Sequence, residues 1–75
     1  MTIDETLDTS GLLCPLPVLK ARKRLKALGP GDRLIVLTDD PAAQIDIPHF
    51  CAEAGHDLVE AQTGHAVCRW VIAKR

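Results

Sequence analysis

Two prolines close behind a cysteine fix where the first helix of this chain can begin. Residues 14–17 read Cys-Pro-Leu-Pro. Proline suits the first turn of a helix, because its φ is already near the helical value and its missing N–H has no intrahelical partner there. The pattern therefore predicts a helix that starts at Pro15 or Pro17. Since a residue before proline avoids helical ψ, Cys14 should be the N-cap or lie just before it, although Pro17 could move the N-cap to Leu16.

This placement favours a reactive role for Cys14 over a packing role. At a helix N-terminus its sulfur would meet the positive end of the helix dipole and free first-turn amides, and both favour the thiolate. Because Pro15 and Pro17 have no N–H to donate, the nearest donors would be the backbone amides of Leu16 and Val18. We therefore predict that Cys14 is an exposed nucleophile.

The other two cysteines are expected to lie in the core. Cys51 falls within the second predicted helix, and Cys68 falls on the inward face of the last strand. Three unpaired cysteines fit reduced thiols, and their spacing contains no Cys-x-x-Cys pair, so we expect neither a disulfide framework nor a metal or cofactor site. The histidines at 49, 56 and 65 are expected at the surface or in a hairpin, since so short a chain offers no substrate cleft for a thiol protease.

Length and composition predict a single domain over residues 1–75. Hydrophobic residues make up 47% and charged residues 25%, as in an ordinary soluble globular protein, while aromatics make up only 3%, so the core must be aliphatic. No apolar stretch reaches membrane-spanning length. The first ten residues carry acids and no base, which does not fit a secretory signal. With its unpaired thiols, the chain is expected in the cytoplasm.

Turn-forming residues divide the chain into six elements in the order βαβαββ. We predict strands at 6–9, 32–38, 57–62 and 66–74, and helices at 15–28 and about 46–54. The second helix should begin afresh near Asp46 or Ile47 after a short turn at Pro41, because Pro48 would interrupt a longer one. Right-handed crossovers then place both helices on one face of a four-stranded mixed sheet, giving a two-layer α/β sandwich.

Basic residues are concentrated in the first helix. Residues 14–33 hold six bases and one acid, whereas residues 34–68 hold six acids and no lysine or arginine, although the net charge is only −1. The bases of this helix are Lys20, Arg22, Lys23, Arg24 and Lys26. They form either a solvated outer face or a docking surface for partners with acidic surfaces.

Two blocks of sequence resemble the TusA family of small sulfur carriers. The first is DTSGLLCPLP at residues 8–17, which contains the Cys-Pro-x-Pro hallmark of that family. The second is TDDP at 38–41, followed by DIP and FC within 46–51 and Gly-His at 55–56. The resemblance implies a βαβαββ two-layer fold like that of the C-terminal domain of translation initiation factor three.

The resemblance also implies a function as a sulfurtransferase that acts mainly as a carrier. Cys14 would accept sulfane sulfur as a persulfide from a cysteine desulfurase or a rhodanese-type protein and pass it to an acceptor protein. Gly11, Pro15, Leu16 and Pro17 would shape its loop. The hairpin at 61–66 matches no family pattern, so tRNA thiolation, molybdenum cofactor supply and sulfur oxidation all stay open as pathways.

Two other functions are compatible with the residues. One is a redox or regulatory interaction module in which Cys14 is a sensing thiol, which would need a resolving cysteine. The other is a nucleic-acid-binding module, suggested by the basic helix. The net charge of −1 and the presence of only two aromatic residues, Phe50 and Trp70, argue against direct nucleic-acid binding, and no membrane partner is expected.

Overall fold

Four strands and two helices follow one another in the predicted βαβαββ order. The computed structural model describes residues 3–75. The elements are β1 (Asp4–Asp8), α1 (Leu16–Ala27), β2 (Arg33–Thr38), α2 (Ala43–Ala54), β3 (Asp57–Gln62) and β4 (Cys68–Ala73). Within the described range, neither helix has the length and apolar character needed to cross a bilayer.

The strands form one mixed sheet in the spatial order β1-β2-β4-β3. Strands β1 and β2 are parallel, whereas β4 runs antiparallel to both β2 and β3. Because β1 and β2 run the same way, their carboxyl ends meet at one edge of the sheet, and the loops that lead into α1 and α2 both leave from that edge. The topology therefore brings the starts of the two helices together.

One face of the sheet is covered by both helices, as predicted. Along β2, Leu34 and Val36 are fully buried, and their β4 partners Ile72 and Trp70 are buried with them. These side chains share one hydrophobic cluster with residues of both helices. From α1 and the residue after it, Ala21, Leu25 and Leu28 are buried and Val18 is half-buried, all at helical spacing. The α2 contribution includes Ile47 and Phe50. The predicted inward face of the last strand is confirmed.

The second helix is longer than predicted. It begins at Ala43 and continues through Pro48 to Ala54, so the predicted fresh start near Asp46 is wrong. Pro48 removes the hydrogen bond to the carbonyl four residues earlier, and its ring also crowds that carbonyl. The buried residues Ala43, Ile47, Phe50 and Cys51 lie at helical spacing on both sides of it, and this shared apolar face offsets the lost bond. Gly55 ends the helix in the left-handed region, with φ of 78°.

Two strand boundaries also differ from prediction. Strand β1 occupies Asp4–Asp8 instead of 6–9, because its pairing with β2 already begins where Asp4 faces Arg33. Strand β4 begins at Cys68 instead of residue 66, so the connection from β3 covers residues 63–67. Neither shift changes which residues face the core.

Candidate functional site

Cys14 lies in the loop between β1 and α1, where its side chain is exposed. The loop is anchored at its start by Thr9, which is fully buried and donates from both its backbone N–H and its hydroxyl to the carbonyl of Leu37. Gly11 then turns the chain with φ of 83°, a conformation that favours glycine. The loop thus leaves the end of the sheet in a defined direction.

Two aspartates of the neighbouring loop hold the Cys14 loop by its backbone. The carboxylate of Asp39 accepts the N–H of Gly11, with both oxygens 2.9 Å from the nitrogen. The carboxylate of Asp40 accepts the N–H of Cys14 at 2.7 Å and that of Ala42 at 3.1 Å. Both aspartates follow β2, so their reach to this loop depends on the parallel pairing of β1 with β2.

The start of α1 places Cys14 where it was predicted, but one predicted hydrogen bond is absent. Its N-cap is Pro15 and its first helical residue is Leu16, so Cys14 lies just before the N-cap. The N–H of Leu16 donates to the carbonyl of Leu13 at 2.8 Å and does not meet the sulfur, so that part of the prediction is wrong. Pro17 is buried in the first turn, where it contributes packing as well as a fixed φ.

The electrostatics at Cys14 also overturn the prediction of a stabilised thiolate. A hydrogen bond to the carboxylate of Asp46, partial desolvation, and the negative charges of Asp46 and Asp40 together raise the pKa of the Cys14 thiol. A helix N-terminus carries only about half a positive charge, and here the carboxylates of Asp46 and Asp40 oppose its effect on the thiol. These carboxylates therefore disfavour the thiolate form of Cys14.

Asp46 is the residue that sequence reasoning missed. It lies in the first turn of α2 and is half-buried, and its carboxylate is the main cause that raises the pKa of the Cys14 thiol. A signal was present in the sequence, because acids cluster where the chain leaves β2, and the carboxyl ends of adjacent parallel strands share one edge of a sheet.

The other two cysteines are core residues, as predicted. Cys51 is 2% exposed and Cys68 is 5% exposed. Burial raises the pKa of the Cys51 thiol to about 11. The Cys68 thiol donates to the carbonyl of His65 at 3.7 Å. Cys14 is thus the one cysteine of the three that another protein can reach.

The remaining candidate ligands lie apart from one another. His49 and His65 are exposed and His56 is half-buried. Among residues 3–75, no group of three or more histidine, cysteine or acidic side chains has the arrangement needed to hold a metal ion.

The bases of α1 line two different hollows. All five are exposed, but they divide between two sides of the helix. Arg22 and Lys26 line a groove of about 630 Å³ toward α2, where the Arg22 guanidinium lies 5.5 Å from the centre of the Phe50 ring. Lys20, Lys23 and Arg24 line a separate hollow toward β1, and Arg24 pairs there with Glu5 at 2.8 Å.

Comparison with known proteins agrees with this geometry. The family model described as Sulfurtransferase TusA matches residues 5–74. Among solved structures, the crystal structure of the SirA-like protein from Desulfitobacterium hafniense superposes with a TM-score of 0.80 and 28% sequence identity, covering 92% of this chain and 95% of that one. The family acts in sulfur transfer between partner proteins. A match over nearly the whole chain, with an exposed cysteine in a loop held by aspartates, means that this protein belongs to the TusA sulfurtransferase family.

Proposed function

We propose that this protein carries sulfane sulfur as a persulfide on Cys14, taking it from a donor protein and handing it to an acceptor protein. The observation that carries the proposal is the exposure of Cys14 in a chain of the TusA family whose other two cysteines are buried. A relay requires one thiol that both partners can reach in turn, and a small body that docks transiently serves this purpose better than a deep pocket.

The chemistry is an exchange between sulfur atoms. In loading, the Cys14 sulfur attacks the outer sulfur of the donor's persulfide, so that a new S–S bond forms on Cys14 and the donor's S–S bond breaks. The donor cysteine leaves as a thiolate, and the Cys14 proton passes to solvent. In unloading, the acceptor takes the outer sulfur and Cys14 is the leaving thiolate. No external oxidant or reductant is consumed in loading.

The loop residues support this exchange by fixing the position of the sulfur. Gly11 supplies the turn, and its N–H is the anchor for Asp39. Pro15 is the N-cap residue of α1 and Pro17 is buried in its first turn. The backbone N–H of Leu16 donates to the carbonyl of Leu13. A preorganised loop lowers the entropic cost of each docking event, which matters for a protein that meets two partners in every cycle.

For the partners, we propose a cysteine desulfurase or a rhodanese-type donor, and an acceptor in tRNA thiolation, cofactor sulfur supply or sulfur oxidation. Three unpaired thiols fit the reducing cytoplasm. A sensing thiol is the weaker alternative, because the acids beside Cys14 raise its thiol pKa and both possible resolving cysteines are buried.

Mass spectrometry of the intact protein tests the proposal. After incubation with a cysteine desulfurase and cysteine, or with thiosulfate and a rhodanese, the wild-type chain should gain one sulfur atom. Cys14→Ser should gain none, whereas Cys51→Ala and Cys68→Ala should gain it as the wild type does. Sulfur found on the Cys14→Ser protein would show that the carrier residue is misassigned.

The two basic sides of α1 are proposed as steering surfaces for acidic partners. Reversing Lys20 and Lys23 to Glu tests the side toward β1, and reversing Arg22 and Lys26 to Glu tests the side toward α2. The side that a partner uses should show a slower association rate, and the wild-type rate should fall as salt rises. If neither pair changes transfer, the bases are a solvated face only.

A further inference from the structure

A groove of about 630 Å³ lies between the second halves of α1 and α2. Its floor is formed by the buried side chains of Leu25 and Phe50, and Ala54 lines it beside them. The volume falls within the range of roughly 300–1,000 Å³ that is typical of pockets for small molecules, which are lined mainly by apolar side chains with a few polar groups. The groove is thus large enough to hold a ligand.

Three cationic side chains line this groove. Arg22 and Lys26 come from α1, and Lys74 follows β4. In the part of the chain that the structure describes, no ion pair includes any of these three cations. Glu53 is the single acid of the lining, and its carboxylate lies 3.4 Å from the ring of His49. A cleft lined mainly by charges of one sign concentrates ions of the opposite sign, so this groove attracts anions.

Two of the cations are held in place by contacts with the groove itself. The Lys74 ammonium donates to the backbone carbonyl of Leu25 at 2.6 Å, and the Arg22 guanidinium lies 5.5 Å from the centre of the Phe50 ring. An ammonium has three N–H donors and a guanidinium has five, so donors remain for a ligand on both side chains. Capping of α1 accounts for one bond of Lys74, but it does not account for Arg22, which lies before the last turn of the helix. The groove therefore combines an apolar floor with positioned cations.

The groove lies at the opposite end of the helix layer from Cys14. Both helices begin at the sheet edge where β1 and β2 end, and Cys14 precedes the start of α1. Arg22 and Lys26 lie about 9 and 15 Å along the axis from the first residue of α1, since each helical residue adds about 1.5 Å. His56 and Lys74 follow the ends of α2 and β4. A small ligand in the groove would therefore leave the Cys14 loop uncovered.

We propose that this groove, named here the basic groove, binds a small organic anion, in which an aromatic ring system or a short acyl chain carries one carboxylate or phosphate group. The apolar body of the ligand lies on the floor, and its acid group accepts charge-assisted hydrogen bonds from the cations. Attraction of an acidic partner protein needs only the charge of these bases, whereas a bound ligand also uses the floor and the volume. The site is separate from the sulfur of Cys14, so this inference goes beyond the proposed function and does not depend on it.

Binding of 2-naphthoate, followed by NMR titration of the isotopically labelled full chain, tests the inference. The wild type should bind this aromatic carboxylate at one site with a Kd of about 1 mM or tighter, as expected for a ligand of its size. The largest shifts should occur at the backbone amides of Lys26, Ala54 and Lys74, while those of Gly11 and Cys14 stay in place. The neutral analogue 2-naphthamide should bind at least about fivefold more weakly, because it lacks the charge that the cations recognise. Cys14→Ser should bind 2-naphthoate as the wild type does.

Matched charge variants test the role of the cations. Arg22→Gln combined with Lys26→Gln should weaken 2-naphthoate binding by about tenfold, because hydrogen bonds to a charged group are lost. Lys20→Gln combined with Lys23→Gln removes the same charge from the other side of α1, and it should change the Kd by less than about twofold, since salt screens exposed charges that do not contact the ligand. Added salt should weaken the binding of 2-naphthoate to the wild type more than that of 2-naphthamide.

A second pair of variants tests the shape of the groove without changing its charge. Ala54→Gln places a longer side chain on the lining and should weaken binding, whereas Ala52→Gln adds the same side chain at an exposed position of α2 outside the lining and should leave binding unchanged. Both positions are exposed and glutamine is a good helix former, so both variants should fold.

Several results would overturn the inference. These are equal Kd values for 2-naphthamide and 2-naphthoate, equal losses in the charge variants on the two sides of α1, and shifts centred on the Cys14 loop or on the hollow toward β1. Absence of saturable binding by both 2-naphthoate and phenyl phosphate would overturn it as well. Sulfur loading of Cys14 is measured separately by mass, so failure of the basic groove and failure of the carrier function are distinguishable.

Discussion

The buried hydrogen bond between Trp70 and Thr38 gives a quantitative test of how the site is supported. The indole N–H of Trp70 donates to the Thr38 hydroxyl at 2.9 Å, with Trp70 2% exposed and Thr38 1% exposed. Thr38→Val keeps the shape of the side chain but leaves a buried donor without a partner, which costs about 1–3 kcal/mol. A chain of this length has a free energy of unfolding of about 4–11 kcal/mol, so the loss is a large fraction of the total.

The assay is urea unfolding followed by tryptophan fluorescence, since Trp70 is the single tryptophan of the chain. For a small domain with a slope near 1 kcal/mol per molar urea, the midpoint of Thr38→Val should fall by about 1–3 M. Thr38→Ser is the matched control, because it keeps the hydroxyl and loses one methyl group, at a cost of about 1 kcal/mol. Under native conditions the alkylation rate of Cys14 should be unchanged in both variants.

A double-mutant cycle isolates the hydrogen bond from packing. Combining Thr38→Val with Trp70→Phe, with unfolding followed by circular dichroism, should give a coupling of about 1 kcal/mol. A Thr38→Val midpoint equal to or above that of the wild type, or a coupling near zero, would refute the view that this bond stabilises the end of β2 from which Asp39 and Asp40 extend.

Three further outcomes follow from single residues. Gly11→Ala and Gly55→Ala place a side chain on residues with φ of 83° and 78°, where no other atom lies nearby and the cost comes from the backbone conformation alone. Each variant should lower the free energy of unfolding by about 1–2 kcal/mol in thermal denaturation, but only Gly11→Ala should also slow sulfur transfer. Because burial raises the pKa of the Cys51 thiol to about 11, alkylation of the folded protein at about pH 8 should label Cys14 and spare Cys51. Comparable labelling of both cysteines would contradict the assignment of Cys14 as the reactive thiol. The Asp32 carboxylate accepts two backbone N–H groups, which lower its pKa below the unfolded value. The stabilisation from these bonds is present above the unfolded pKa and is lost as pH falls through the folded pKa. Urea midpoints should therefore show Asp32→Asn to be less stable than the wild type near pH 7 and equally stable in strong acid.

The fold could be predicted largely because local rules and tertiary packing agree along most of the chain. The prolines after Cys14 set the start of α1, and the positions of Cys68, Trp70 and Ile72 at every second residue set the inward face of β4. The prediction failed at Pro48, where a local rule about proline competed with an apolar face shared by four residues. Burial prevailed there because one lost hydrogen bond is a small cost beside four buried side chains.

The site could be predicted only in part, for a related reason. Exposure and position of Cys14 follow from residues within the loop itself, and both were predicted correctly. The pKa of its thiol is raised by Asp46, which lies 32 positions along the chain and is brought to this end of the sheet by the parallel pairing of β1 with β2. The thiol pKa could not be predicted from the helix terminus alone, because charged side chains of another element also act on the thiol.

The Cys14 loop is anchored through its backbone, so the side chains on its surface can vary without loss of the anchor. Asp39 and Asp40 bind the loop through the backbone N–H groups of Gly11 and Cys14, and every residue except proline offers such a group. The side chains at positions 12, 13 and 16 carry none of those anchoring bonds. Recognition and geometry are thus encoded separately, so the side chains that a partner meets can be exchanged between carriers while the sulfur stays where it is.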